Sequence, residues 1–325
     1  MLTYFAPRGT SLEKIAGGPD VAAPTDAIWL DLVTPTQEED KIVERILGVA
    51  VPTREEMAEI EVSSRLYIEN GARYMTATLM CRSDTDLPKT TPVTFILSNG
   101  RLVTVRYDEP KPFAIISLKL VRACGPSPTG ESVLMELLDA IIDRTADILE
   151  RNAAEVDIVS HQVFEPTQKR ANRTLAYNHI MRSIGRKADL NSKVRESLVS
   201  VGRLVLFLAN EADGMKWPKD MRASLKTMQR DVQSLLDHAS YQSNKITFLL
   251  DAMLGIVSIE QNNIIKIFSV AAVGLMPPTL IASIYGMNFK HMPELEWAWG
   301  YPIAILLMIA AAALPYFFFK WKRWL

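Results

Sequence analysis

Hydrophobic positions along the chain follow three successive rhythms: alternation, helical periodicity and unbroken runs. The first occupies residues 27–107. Residues 27–33 read as a strand, and Thr34-Pro35-Thr36-Gln37 behind them reads as a helix start, with Thr34 as cap, Pro35 at the first helical position and Gln37 reaching back. Thr53-Arg54-Glu55-Glu56 repeats the capping spacing. Residues 65–69 and 72–80 flank Asn70-Gly71, and residues 93–98 and 101–107 flank Asn99-Gly100. Asn-Gly suits the positive φ values of a two-residue turn, so two β-hairpins are predicted there.

After Gly130 the rhythm becomes helical. Val133, Leu134, Leu137, Leu138, Ile141, Ile142, Ile148 and Leu149 keep one face for several turns. Pro166 ends that stretch, and a second long helix is predicted from about Thr167 to Asn210 on the same periodicity. Gly214 and Pro218 interrupt again. From Lys219 the helical pattern then continues to Asn288, broken only by Pro277-Pro278, as one stalk helix of about 70 residues, roughly 105 Å long. A helix of that length needs partners for its apolar stripe, either the two preceding helices or further copies of itself.

The third rhythm is continuous. Residues 267–289 and 297–319 each hold 23 residues without a charge, long enough to span a bilayer. The seven residues between them are too few for a domain, so the two spans form a helical hairpin. Lys266 precedes the pair and Lys320, Lys322 and Arg323 follow it, whereas the loop carries only Lys290. The excess of basic residues on the flanks puts both termini on the cytoplasmic side. The expected partition is therefore a cytoplasmic α/β domain over 1–130, long cytoplasmic helices over 131–266, a first span over 267–289, an external loop over 290–296, a second span over 297–319 and a basic tail over 320–325.

Composition adds little to this. Of 325 residues 48% are hydrophobic and 22% charged, with a formal net charge of −1, so nothing calls for nucleic acid as a partner. Cys81 and Cys124 stand 43 positions apart with no second Cys or His nearby in sequence, a spacing expected of reduced thiols. Residues 1–15 contain no apolar run of signal-peptide length, so the first domain is expected to stay in the cytoplasm. No GxxxxGK[ST] phosphate loop and no nucleophile with a base are recognisable, and an enzyme is not expected.

Inside the first span the small and polar residues are ordered. Asn262, Ile265, Ser269, Ala272, Met276, Thr279, Ser283 and Gly286 recur at alternating steps of three and four and so share one helix face. Tight helix packing and a pore both select such a face. Pro277-Pro278 frees backbone carbonyls that must be satisfied by protein or by a water-filled cavity.

The helix ends in Tyr285-Gly286-Met287-Asn288, followed by Met292-Pro293-Glu294-Leu295, Trp299-Gly300-Tyr301-Pro302 and a terminal Lys-Arg-Trp-Leu. In these motifs, and in their order from about Arg230 to the end, the chain resembles the CorA family of divalent-cation channels. The resemblance implies an α+β cytoplasmic domain joined to an α-helical membrane part, assembled as a funnel-shaped homopentamer in the inner membrane. Five copies of the stripe would then line an axial pore, so the packing face and the pore face coincide. It also implies that Asn288 and the Gly286 carbonyl form a selectivity ring whose shape Met287 holds. Ser283, Thr279, Met276, Ser269 and Asn262 would line the path, with Met276, Ile265 and Phe268 as a hydrophobic gate.

A ring of neutral carboxamides can recognise the hydration shell of Mg2+ without trapping the ion, because Mg2+ dehydrates reluctantly. Glu294 and Glu296 outweigh Lys290 at the mouth and would concentrate cations there. The membrane potential supplies about 4.6 kcal/mol per 100 mV to an entering divalent ion, so no ATP site is required. Mg2+, with Co2+ and Ni2+ beside it, is then substrate and cytoplasmic regulator, with no separate cofactor. The family is held shut by cytoplasmic Mg2+ bridging acids between subunits, for which Asp231, Asp84 and Asp86 are the candidates. Two other readings remain open: a zinc or other transition-metal transporter of the same fold, against which the scattered His161, His179, His238 and His291 argue, and a membrane-anchored scaffold, which leaves the polar stripe unexplained.

Overall fold

The computed structural model describes residues 1–18, 21, 23–85, 87–125, 127–165, 173–287, 292, 293 and 297–322. These fall into two units, Met1–Leu249 and Leu250–Leu325.

The first unit is built on a seven-stranded sheet. Strands β1 (Leu2–Arg8), β2 (Ser11–Ala16), β3 (Trp29–Val33), β4 (Leu66–Glu69), β5 (Ala72–Cys81), β6 (Lys89–Ser98) and β7 (Arg101–Arg106) lie in the order β2-β1-β3-β7-β6-β5-β4. Only β3 and β7 run parallel; the other neighbours are antiparallel. Both Asn-Gly turns form as predicted, with Asn70, Gly71, Asn99 and Gly100 all at positive φ. The hairpin of β1 and β2 was not predicted from the sequence, although its tight Gly9-Thr10 connection, with Gly9 at φ 63°, carries a recognisable turn signal.

Side chains alternate across the sheet and feed two cores. Phe5, Trp29, Phe95 and Leu102 pack with helices α4 (Lys111–Arg122), α5 (Gly130–Phe164), α6 (Arg173–Glu211) and the first part of α7 (Lys219–Tyr285). Tyr4, Leu30, Leu32, Ile96 and Val103 pack on the opposite face with Val43 of α1 (Gln37–Leu47) and Met57 of α2 (Arg54–Met57). A third short helix, α3 (Val62–Arg65), precedes β4.

One helix start differs from its expectation. Thr36, not Thr34, caps α1, in a capping box with Glu39. Thr34 is held at φ 44° with its N–H donating to the Arg106 carbonyl at 2.8 Å, so contact with β7 keeps it outside the helix. The second box forms as spaced, with Thr53 and Glu56 closing on each other around α2.

Buried polar groups tie these layers together. Arg106 grips Asp31 in two places, Nη2 to Oδ2 at 2.8 Å and Nε to Oδ1 at 3.1 Å, while Thr104 donates to Asp31 Oδ1 and Trp29 Nε1 donates to Thr104. Between the long helices, Asn152 donates to Gln242 Oε1 at 3.1 Å, Gln242 donates to the Leu149 carbonyl at 2.9 Å, and Asn191 donates to the Ala239 carbonyl at 2.9 Å. These bonds fix the register of α7 against α5 and α6, because a shifted helix would leave buried amides unpaired.

The second unit holds the end of α7 and helix α8 (Gly300–Trp321), the two helices long and apolar enough to cross a membrane. α7 is unbroken for 67 residues, close to the predicted stalk-plus-span length. α8 begins at Gly300 instead of Trp297: residues 297–299 form a turn closed by the Gly300 N–H on the Trp297 carbonyl, and Pro302 sits in the first turn, where no donor is needed.

Candidate conduction site

The stripe of small and polar residues stands on α7 as the spacing requires. Asn262, Ile265, Phe268, Ser269, Ala272, Met276, Thr279, Ser283 and Gly286 are all exposed in the protomer. The positions of this stretch that are partly covered are Asn263, Val270, Gly274, Pro277, Pro278, Ile281 and Tyr285. At about 100° per residue these lie on the side of the helix opposite the stripe. The protomer thus leaves uncovered the face that carries its hydroxyl, carboxamide and thioether groups.

Helical form persists through both prolines. Pro277 and Pro278 have no N–H for the carbonyls of Val273 and Gly274, which stay free to accept from another source. The Thr279 hydroxyl, one turn on, is bonded back to the Leu275 carbonyl. At the end of the helix the Gly286 N–H reaches the Ala282 carbonyl at 2.9 Å, and the Met287 N–H tightens onto the Ile284 carbonyl at 3.2 Å. The last carbonyls of a helix lack intrahelical donors and carry the negative end of its dipole, so this terminus is a favourable place for a cation. A side chain at 286 would press on the Ala282 carbonyl, 3.2 Å from a built Cβ. Asn288, Glu294 and Glu296, the remaining filter and mouth positions, lie outside the described residues, as do Lys290 and His291.

The candidate regulatory acids are unlike one another. Asp231 is exposed on α7, and its charge adds to those of Asp143 and Glu136 in raising the pKa of Asp139, for which burial is the main cause. Asp84 is already engaged within its own chain. Lys111, Arg151 and Arg144 all bond its carboxylate, Arg144 Nη2 at 2.7 Å and 2.9 Å from the two oxygens, and Arg151 also holds the Ser83 carbonyl at 2.8 Å. The Lys111 and Arg151 bonds hold its pKa well below the usual carboxylate range. A divalent ion at Asp84 would have to displace these cations. Asp86 lies outside the described residues. Among the described residues no group of three or more His, Cys, Asp or Glu side chains is arranged to hold a metal.

Comparison with known proteins gives the family. The family model described as CorA-like Mg2+ transporter protein matches residues 25–323. The chain belongs to the CorA family. This is a family of transport proteins and not of enzymes, and its two apolar helices are transmembrane helices. Curated relatives include the magnesium transport protein CorA of Salmonella typhimurium, 34% identical over 92% of both chains, and that of Pasteurella multocida, 33% identical over the whole of both. Among solved structures, the complete CorA magnesium transporter of Methanocaldococcus jannaschii aligns with 100% of this chain and 99% of its own at a TM-score of 0.76 and 18% identity. Likeness at that identity speaks for the fold alone. In this CorA-family chain the sequence pattern had located the stripe and the Gly-Met end; it held no sign of the cation clamp on Asp84, whose three partners come from α4 and α5.

Proposed function

We propose that this CorA-family protein conducts Mg2+, with Co2+ and Ni2+ as further substrates, across the inner membrane down its electrochemical gradient, as a homopentamer. The observation that carries this reading is the uncovered polar stripe of α7, opposite the covered face and ending at the carbonyl-rich Gly286-Met287 terminus. In lipid such a face needs polar partners, and a ring of five copies around water supplies them. Residues 267–289 are then the pore wall and residues 297–319 the outer support, with loop 290–296 outside and both termini, including the 320–325 tail, in the cytoplasm. The charge on the flanking Lys266, Lys320 and Lys322 supports that orientation.

Mg2+ meets Glu294 and Glu296, is recognised as its hydrated ion by the Asn288 carboxamides and Gly286 carbonyls, and passes Ser283, Thr279, Met276, Ser269 and Asn262. Met276, with Ile265 and Phe268, narrows the path as a hydrophobic gate. Cytoplasmic Mg2+ closes it by bridging subunits. Asp231 is the better of the two described regulatory candidates, because its carboxylate is exposed while that of Asp84 is held by three cations.

Proteoliposomes with an inside-negative potential and an internal Mg2+ dye test this. Wild-type protein should admit Mg2+, and Asn288→Ala should abolish the influx while eluting at the same size. Influx that survives the substitution overturns the filter assignment. In the same assay, Zn2+ entering faster than Mg2+ would reassign the substrate.

A further inference from the structure

A cleft of about 320 Å³ in the first unit contains none of the stripe residues. It lies between α6, the short helix α3 and strand β5. Three guanidinium groups line it: Arg65 from the end of α3, and Arg195 and Arg203, which are two turns apart on one face of α6. Glu196 is the one carboxylate among the lining residues, leaving a net charge of +2.

Arg65 is half-buried and Arg195 and Arg203 are exposed, and among the described residues none of the three has a carboxylate within ion-pair distance, whereas Arg73, Arg106 and Arg144, whose side chains are largely withdrawn from solvent, each face one. Arg65 spends its Nη1 on the Thr78 hydroxyl at 2.9 Å and its Nε on the Glu59 carbonyl, both neutral oxygens. Among the described residues three of its five N–H groups have no protein acceptor. Burial lowers the Arg65 pKa and the nearby charge of Arg203 lowers it further, while Glu196 only partly opposes them. A half-buried cation only partly offset by Glu196 is costly, and an anion in the cleft would reduce that cost.

The rest of the lining narrows the chemistry. Ser200 accepts from the Thr78 N–H at 2.8 Å, which fixes its hydroxyl oxygen and leaves its proton to donate. Val62, Leu66 and Val199 form apolar walls beside the charged end. A volume of this size is at the lower end of the range for small-molecule sites. We propose that the cleft binds a phosphomonoester carrying a flat or apolar group, of the class of a nucleoside monophosphate. A phosphomonoester carries about −1.5 to −2 charges at neutral pH, which matches the lining, and arginine forks suit its oxygens in pairs. The apolar walls take the remainder of the ligand.

The test is isothermal titration of the full chain in detergent, in buffer free of divalent cations, with adenosine 5′-monophosphate, adenosine and inorganic phosphate as probes. The monophosphate should bind saturably at one site per chain, with adenosine and inorganic phosphate each at least about tenfold weaker, about 1.4 kcal/mol. Arg65→Gln and Arg203→Gln should each weaken the monophosphate about tenfold. Arg203 is exposed, so its variant keeps the test decisive if Arg65→Gln fails to fold. No saturable binding at millimolar monophosphate, as when a neighbouring subunit fills the cleft, overturns the site. Equal affinity in the Arg203 variant also overturns it, and inorganic phosphate binding as tightly as the monophosphate overturns the ligand class.

Discussion

At the scale of single residues, the first unit concentrates charge in places where removing one partner is worse than removing both. Arg106 and Asp31 are 8% and 6% exposed, and their bidentate pair is sealed by Thr104 and by Phe113, whose ring lies 4.7 Å beneath the guanidinium. Arg106→Ala leaves the Asp31 carboxylate buried with only a hydroxyl donor, and should cost about 3–5 kcal/mol. The double change Asp31→Leu with Arg106→Met should recover much of that loss in chemical denaturation of the full chain. A double variant no more stable than the single one would show that the pair does more than satisfy itself. Asp84 differs because it is partly exposed and its pKa is depressed by Lys111 and Arg151. A depressed carboxylate contributes stability above its unfolded pKa and loses it as pH falls toward the folded value. The denaturation midpoint of wild type should therefore drop as pH falls below about 4, and Asp84→Asn should flatten that part of the profile. Equal slopes in the two proteins would mean that the clamp adds nothing to folding.

At the scale of elements, the close approach of α5 to the β6–β7 turn rests on a single missing methyl group. The Gly130 N–H bonds the Gly100 carbonyl at 2.7 Å, and a Cβ built on Gly130 would stand 2.5 Å from the Arg101 carbonyl carbon and the Leu102 nitrogen. Backbone cannot yield as a flexible side chain does. Gly130→Ala should thus destabilise the first unit by about 1–3 kcal/mol despite the gain in helix propensity, a sign that a thermal melt checks directly. The same contrast between local and distant causes explains what the sequence disclosed. Both Asn-Gly hairpins, the Thr53 box and the long helical run from Lys219 were legible because turn chemistry, capping and periodicity act within a few residues. The cap of α1 was misplaced by two positions because a bond from Thr34 to Arg106 decides it. Helix α4 went unread: no side chain caps it, and Pro110 and Pro112 frame its start. The stripe on α7 was legible for the same periodic reason. The clamp on Asp84 was not, since its partners lie 27, 60 and 67 positions away in the chain.

At the scale of the whole molecule, the stripe poses a question that one chain does not answer. Its Ser269 and Ser283 hydroxyls are uncovered in the protomer, and lipid would leave them unsatisfied. Copies of the chain around a water-filled axis resolve this, and native mass spectrometry in detergent should give five chains of 36.4 kDa each; any other number removes the proposed pentamer. In the proposed ring the thioether of Met276, 68% exposed in the protomer, would face four equivalents across the axis. Five apolar side chains can dewet a pore and so block a hydrated ion without binding it. Met276→Ala widens the constriction without adding charge or altering Asn288. It should therefore raise Mg2+ influx into liposomes at internal Mg2+ concentrations that silence wild type, while leaving the preference for Mg2+ over Zn2+ unchanged. A leak with altered preference would place selectivity at Met276 instead of at the outer ring, and no leak at all would move the barrier to Ile265 or Phe268, further toward the cytoplasm on the same helix.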